Sequence, residues 1–197
     1  MAGEIFTVRE KMIDSLPQTE QLKDKGYEML YMTDDVDEFV VQMLGEYEEK
    51  QFKSINDNDL GLETEEEKKE TEKQSEDNKA LLDAIKESLG ESVSKVIVSH
   101  KLKSHPVCLS TEGPVTLEME KYFASIPGAE QAPKAERVLE INPSHKVFES
   151  LKNAYGSDDK EKLKKYSYIL YNEALLIAGL PAENPSELAE AISELMI

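Results

Sequence analysis

The sequence predicts an α+β fold: a small helix-strand unit, then a three-stranded sheet packed with helices, and finally a C-terminal helical pair. Before residue 57, apolar residues at helical spacing alternate with short apolar runs. Between residues 93 and 141 lie three short apolar runs of the kind that form strands. Beyond Gly156 the apolar residues recur at helical spacing. Helices therefore cover sheets in two successive segments.

Charge and composition narrow the classes of function. The chain has 197 residues, with 41 acidic against 23 basic side chains and a formal net charge of −18. Such a charge repels phosphate backbones and anionic lipid headgroups, so we expect no nucleic-acid and no membrane partner. The longest apolar stretch, around residues 174–180, is far shorter than the roughly 20 residues that span a bilayer.

The cysteine count and the N-terminus indicate the compartment. Cys108 is the single cysteine, so an internal disulfide is excluded. The first residues show no basic stretch followed by an apolar core, as a secretory signal would. Both observations predict a cytoplasmic protein.

An acidic stretch marks a boundary. Residues 63–77 contain eight acidic residues, three lysines and no apolar residue, so they cannot face a core. We therefore predict a first segment over 1–56, an acidic linker over 57–79 and a second segment over 80–197. The linker is expected to become helical near Thr64 or later, in a helix that ends at Gly90.

The first segment alternates helices and strands. Apolar spacing predicts a helix over 8–16, a short second helix that stops at Gly26, and a third helix over 36–44. Apolar runs at 27–32 and 51–55 predict strands.

The second segment begins with strands. Residues 93–99 and 106–110 are expected to form a hairpin or a bent strand pair, and 137–141 a third strand. Residues 114–126, between the second and third strands, have a helical pattern.

Three helices are predicted after the third strand. Asn142 and Pro143 look like the start of the first, with Asn142 as its N-cap. A long helix carries the apolar residues of 163–177. The last helix is predicted to begin with a capping box at residues 184–187.

Four blocks, in order, resemble the C-terminal part of the heat shock protein 90 family of chaperones, in its bacterial HtpG form. Gly-Tyr-Glu-Met-Leu-Tyr-Met-Thr-Asp-Asp-Val-Asp-Glu-Phe at 26–39 resembles the end of the family's middle domain. Val-Ile-Val-Ser-His-Lys-Leu at 96–102, Leu-Glu-Ile-Asn-Pro-Ser-His at 139–145 and Leu-Tyr-Asn-Glu-Ala-Leu-Leu at 170–176 resemble its C-terminal dimerisation domain. The resemblance covers nearly the whole chain.

The resemblance implies a fragment of an ATP-dependent stress-response chaperone. The family's nucleotide-binding domain would lie before Met1, so ATP and Mg²⁺ are expected there and no cofactor, metal or catalytic residue is expected in this chain. A fragment of this kind is not itself an enzyme. It would supply homodimerisation and the binding of unfolded or non-native client proteins.

The dimer is expected to form through the last two helices, because the matching family segment forms a two-fold four-helix bundle. Both helices carry apolar stripes that look too wide for partners within one chain. The predicted interface residues are Leu163, Tyr166, Leu170, Ile177, Leu188, Ile192 and Leu195.

The client surface is expected on the helix over 114–126. Val115, Met119, Tyr122 and Phe123 share one helical face, and the matching family helix projects into the cleft between protomers. Phe39 is a second candidate for the same surface. The alternative is that this stripe is ordinary core.

A different class of function remains open on sequence grounds. Cys108 could act as the nucleophile of a cytoplasmic enzyme, with His100 or His105 as its base. The net charge of −18 argues against this, because a reactive thiolate needs electropositive surroundings. The spacing of the three residues matches no standard zinc site.

Overall fold

A computed structural model describes residues 4–9, 16–32, 34, 36–57, 59–127 and 132–196. Their packing forms two units, one within 1–62 together with 110–136, the other comprising 63–109 and 137–197. Residues 110–136 belong to the first unit. The Thr111 backbone amide donates to the Asn56 carbonyl at 3.0 Å, and Thr111 forms an isolated parallel β-bridge with Asp57. The sequence pattern predicted contiguous segments and gave no sign of this return.

The strands and helices follow in chain order. The strands are β1 (Glu4–Arg9), β2 (Met29–Met32), β3 (Glu46–Tyr47), β4 (Lys50–Ser54), β5 (Lys95–Val98), β6 (Val107–Glu112) and β7 (Glu136–Ile141). The helices are α1 (Thr19–Asp24), α2 (Asp37–Leu44), α3 (Glu65–Asp77), α4 (Lys79–Leu89), α5 (Leu117–Ser125), α6 (Lys146–Gly156), α7 (Lys160–Ile177) and α8 (Pro185–Glu194). The mixture of helices and small sheets confirms the predicted α+β class.

The sheet of the first unit has the strand order β2-β1-β4-β3. β1 runs parallel to both β2 and β4, and β3 pairs antiparallel with β4. The helix predicted over 8–16 is wrong at Val8, which lies in β1 opposite Tyr31. Pairing on both sides of β1 overrides the local helical spacing. Residues 10–15 of that predicted helix lie outside the described residues.

The core of the first unit forms beside this sheet. Leu22 of α1 packs with Ile55 and Leu60, and Leu16, Met29 and Leu62 adjoin this cluster. α1 ends before Gly26, whose φ of +74° is a conformation that glycine adopts without strain. The end of this helix and the strands at 27–32 and 51–55 are confirmed to within two residues.

The sheet of the second unit has the order β5-β7-β6. The predicted hairpin of 93–99 with 106–110 is therefore wrong, because β7 lies between these strands and pairs parallel with β5. Val138, Leu139 and Ile141 of β7 are completely buried, as expected of a central strand. The side-chain NH2 of Asn142 donates to the backbone carbonyls of Lys103 and His105, at 3.1 and 2.9 Å. These bonds fix the segment that connects β5 to β6.

The acidic stretch forms a helix on its own. The Thr64 hydroxyl accepts from the Glu67 amide at 3.2 Å, and the Glu67 carboxylate accepts from the Thr64 amide at 2.7 Å. This capping box starts α3, which contains no buried residue. The helix predicted from Thr64 to Gly90 is confirmed at both ends but is interrupted at Asn78, where α3 gives way to α4.

The start of α6 differs from the prediction. α6 begins at Lys146, and its N-cap is His145, whose Nδ1 accepts from the Val147 amide at 3.3 Å. Asn142 is not the cap, since α6 begins only four residues later; its side-chain oxygen accepts from the Ser144 amide in the preceding turn, and its side-chain NH2 donates to the β5–β6 connection. α8 does begin as predicted, with the Asn184 side chain accepting from the Glu187 amide.

Long helices cover the sheet of the second unit. The core combines residues from α4, α6 and α7: Leu81, Leu82, Ile85, Phe148, Leu151, Leu170, Tyr171 and Leu175. No helix in the described ranges is both long enough and apolar enough to cross a membrane.

Candidate functional site

Three aromatic rings meet between α2 and α5 in the first unit. The Phe39 ring centroid lies 5.2 Å from that of Tyr122 and 6.0 Å from that of Phe123, and both pairs are edge-on. Tyr122 and Phe123 are also 6.0 Å apart and edge-on. This is the favourable geometry for aromatic pairs. All three side chains are half-buried, so the cluster is partly open to solvent.

Polar contacts fix the two helices in place. Thr116 caps α5 by accepting from the Met119 amide at 3.2 Å. The side-chain NH2 of Gln42, in α2, donates to the Pro114 carbonyl at 3.3 Å and lies 3.6 Å from the Met119 sulfur. These contacts join α2 to the start of α5, which holds Phe39 against the two rings of α5.

The predicted client residues divide into two groups. Phe39, Tyr122 and Phe123 come together, and Val115 is half-buried close to the start of α5. Met119 is only 9% exposed and Leu117 is fully buried, so this side of α5 is core. The stripe is therefore core at Met119, while the aromatic residues reach the surface, and client binding by these rings stays a prediction.

The predicted client surface included only Phe39 of α2 and omitted the other apolar residues of this helix. Val36, Val40 and Leu44 are each more than half exposed, Met43 is 90% exposed, and α2 has no buried residue. A stripe at this spacing predicts a helix and normally faces a core, so it does not show that these side chains are open to solvent.

These residues form one apolar surface, which we call the α2–α5 patch. It is defined by Val36, Phe39, Val40, Met43, Leu44, Tyr122 and Phe123. Contiguous exposed apolar surface on a folded unit typically marks a site of interaction.

The predicted interface residues of α7 and α8 also divide. Leu163, Leu170 and Leu188 are buried within the protomer, so the expectation that they lack partners in their own chain is wrong. Other helices of the second unit already cover them. Ile192 and Leu195 of the last helical turns are exposed, while Tyr166 and Ile177 are half-buried. Exposed Met196 and Leu176 are further apolar residues that the prediction did not include.

The cysteine and histidines do not form a catalytic group. Cys108 is completely buried in β6, where a thiol cannot meet a substrate. His100 Nδ1 lies 2.9 Å from a Glu63 carboxylate oxygen, and His105 Nδ1 lies 3.1 Å from the Ser104 hydroxyl. No group of three potential metal ligands occurs among the described side chains. The enzyme alternative therefore lacks an accessible nucleophile.

The family follows from comparison with known proteins. The sequence profile of the Hsp90 protein family matches residues 5–197. The chain belongs to the Hsp90 family. This confirms the family predicted from the four sequence blocks.

Three bacterial chaperones are similar in sequence to this Hsp90 chain. It is 52% identical over 185 residues to the chaperone protein HtpG of Bacillus velezensis. It is 54% identical over 184 residues to that of Clostridium acetobutylicum, and 49% identical over 185 residues to that of Bacillus subtilis. These matches cover 93 or 94% of this chain but 29% of each relative. The chain thus spans less than a third of the length of these relatives.

The four blocks of the resemblance occupy defined elements of the Hsp90 chain. Residues 26–39 contain β2 and the start of α2, including Phe39. Residues 96–102 begin in β5, 139–145 include the end of β7, and 170–176 lie within α7. One block therefore contributes directly to the α2–α5 patch.

Proposed function

We propose that this chain supplies client binding and homodimerisation to a molecular chaperone of the Hsp90 family, acting in the cytoplasm and in the response to stress. The observation that supports client binding is the α2–α5 patch. Its aromatic rings pack edge-on against one another, while the side chains of Val40 and Met43 are exposed to solvent. Flexible methionine and amphipathic aromatic side chains suit a surface that binds many different non-native segments.

The proposal assigns no catalytic step to this chain. ATP and Mg²⁺ would be bound by a part of the longer relatives that this chain does not cover. Its own role would be to hold client polypeptide and to join two protomers.

Dimerisation is proposed through the end of α8 with support from α7. Ile192, Leu195 and Met196 present exposed apolar surface at the end of the described chain, and Tyr166 and Ile177 are partly open on α7. Their burial against a second copy would be a two-fold contact between identical surfaces. Leu163, Leu170 and Leu188 would support these helices from within rather than touch the partner.

Client capture by the patch can be tested with a permanently unfolded protein, such as reduced and carboxymethylated α-lactalbumin. The test variant is Val40→Ser with Met43→Ser, and the matched control is Tyr155→Ser, which alters an exposed apolar residue of α6. We expect the double variant to bind the unfolded protein about thirtyfold more weakly, since two lost apolar contacts at roughly 1 kcal/mol each amount to roughly 2 kcal/mol. Fluorescence anisotropy measures the affinity.

Melting temperatures separate this outcome from misfolding. Exposed side chains contribute within about 0.5 kcal/mol to folding, so both variants should melt within a few degrees of the unmodified chain. Unchanged affinity in the folded double variant would refute client binding at the patch. An equal loss in the Tyr155→Ser control would show that binding is not localised there.

A further inference from the structure

The segment that builds the α2–α5 patch carries negative charge without any positive charge. Residues 26–49 contain eight acidic residues and no Lys, Arg or His. Asp37 and Glu38 lie in the first turn of α2, and exposed Glu46, Glu48 and Glu49 follow its end. Carboxylates therefore flank the exposed apolar side chains on both sides along the chain.

The size of α2 keeps these charges close to the patch. A helix of eight residues is about 12 Å long. The Debye length at physiological salt is about 8 Å, so a cation bound over the middle of α2 lies within range of acids at both ends. Residues 26–50, which include Lys50 opposite Tyr47, still carry a net charge of −7, so we expect a negative field over Val40 and Met43.

The α5 side adds little to this field. Lys121 forms an ion pair with Glu118, so these two charges compensate each other. The Glu120 carboxylate accepts from the Ala135 amide at 3.1 Å. The negative character of the patch thus comes from the α2 segment, which also supplies its most exposed apolar residues.

We propose that the α2–α5 patch selects unfolded segments in which aliphatic or aromatic residues adjoin lysine or arginine. This inference rests on the proposed client binding and names the class of segment bound. Apolar side chains of the segment pack on Val40, Met43 and the aromatic rings, while its cations lie near the flanking carboxylates. Complementary charge of this kind favours one class of partner and disfavours acidic segments by repulsion.

Three fluorescent peptides test the selection on the full chain. They share one apolar core and differ only in flanking residues, which are lysine, glutamine or glutamate. Exposed ion pairs each contribute modestly to affinity. We expect the lysine peptide to bind about tenfold more tightly than the glutamate peptide, with the glutamine peptide between them. Raising the salt concentration to about 1 M should remove most of this difference, because the Debye length falls to about 3 Å.

Variants in which three carboxylates are neutralised show which acidic residues cause the preference for lysine. The test variant is Glu38→Gln with Glu46→Gln and Glu48→Gln. The control, Glu70→Gln with Glu72→Gln and Glu76→Gln on exposed α3, changes the net charge by the same amount. The test variant should lose the preference for lysine while still binding the glutamine peptide, and the control should keep the preference.

The outcomes separate this inference from the proposed function. Binding of the glutamine peptide without any preference for lysine would refute charge selection and leave client binding intact. A preference that is equal in the test and control variants would also refute it, since net charge alone would then be the cause. If none of the three peptides binds, both the proposed function and the selection are wrong.

Discussion

Lys101 and Glu140 form an ion pair with no exposed surface on either side chain. The Lys101 ammonium lies 2.8 Å from one carboxylate oxygen of Glu140. The other oxygen accepts from the Ser99 hydroxyl at 2.7 Å. Glu140 belongs to β7, so the pair ties the end of β5 to the central strand of the second unit. A buried carboxylate is tolerable only because both its oxygens have partners.

Removing the lysine should therefore destabilise the chain strongly. Lys101→Met leaves the Glu140 carboxylate without its cation, at a cost of about 3–5 kcal/mol in the free energy of unfolding. Urea denaturation measures this loss. Lys101→Met with Glu140→Leu removes both charges and should recover much of it. A loss below about 1 kcal/mol in the single variant would contradict the account of the pair.

A second network predicts a dependence of stability on pH. The Tyr171 hydroxyl accepts from Arg137 at 2.6 Å and donates to Glu183 at 3.1 Å. Burial raises the pKa of Tyr171 to about 12 from its ordinary value of 10.0, with Arg137 opposing the rise. The folded state thus keeps a proton that the unfolded state releases above pH 10, so this contribution to stability falls from pH 10 to about 12.

Tyr171→Phe isolates this effect. Urea midpoints between pH 9 and 11.5 should fall more steeply with pH in the unmodified chain than in the variant, because the other tyrosines and the lysines are common to both. At neutral pH the variant should lose about 1 kcal/mol, the usual worth of a lost hydrogen bond. Parallel pH profiles would show that Tyr171 does not titrate differently in the folded state.

The division of α7 and α8 into buried and exposed residues predicts two different outcomes of mutation. Leu170→Asp places a charge in the core of the protomer and should unfold the chain or cost more than about 3 kcal/mol. Leu195→Asp alters a residue that is 50% exposed and should dissociate the dimer while the melting temperature at low protein concentration stays unchanged.

Sedimentation equilibrium at tens of micromolar protein measures the molecular mass in solution and so tests for the proposed dimer. Ser186→Asp is the control, since Ser186 is exposed in the first turn of α8, more than two helical turns before Leu195. It should leave the dimer intact. A monomeric unmodified chain, or a dimer that survives Leu195→Asp, would contradict the proposed interface.

Local patterns predicted the helices well and the strand pairing poorly. The spacing of apolar residues identified α2, α4 and α7, the acidic stretch was expected to become helical near Thr64, and the capping residues located the start of α8. Strand pairing is non-local, so nothing near residues 95–112 shows that β7 inserts between β5 and β6. The same reason explains Val8, whose strand is fixed by β2 and β4 on either side.

The candidate site was predictable in its residues but not in their exposure. Periodicity identified the apolar faces of α2 and α5 and the resemblance added Phe39, yet an apolar face looks the same whether it is covered or open. Which side of α5 is covered depends on the position of Leu117 and Met119 in the first unit, and a sequence pattern does not give this. For the same reason, Leu170 was assigned to an interface although its own chain buries it.

The central claim is that the α2–α5 patch binds non-native polypeptide, and Met43 provides its most direct test. Its methyl group, labelled with carbon-13, reports contacts by NMR, and its signal can be assigned with Met43→Leu. On addition of the unfolded test protein, we predict that the Met43 signal shifts or broadens, while the signal of Met196, which is 80% exposed on the proposed dimer side, stays in place. An unchanged Met43 signal at saturating unfolded protein would contradict the account.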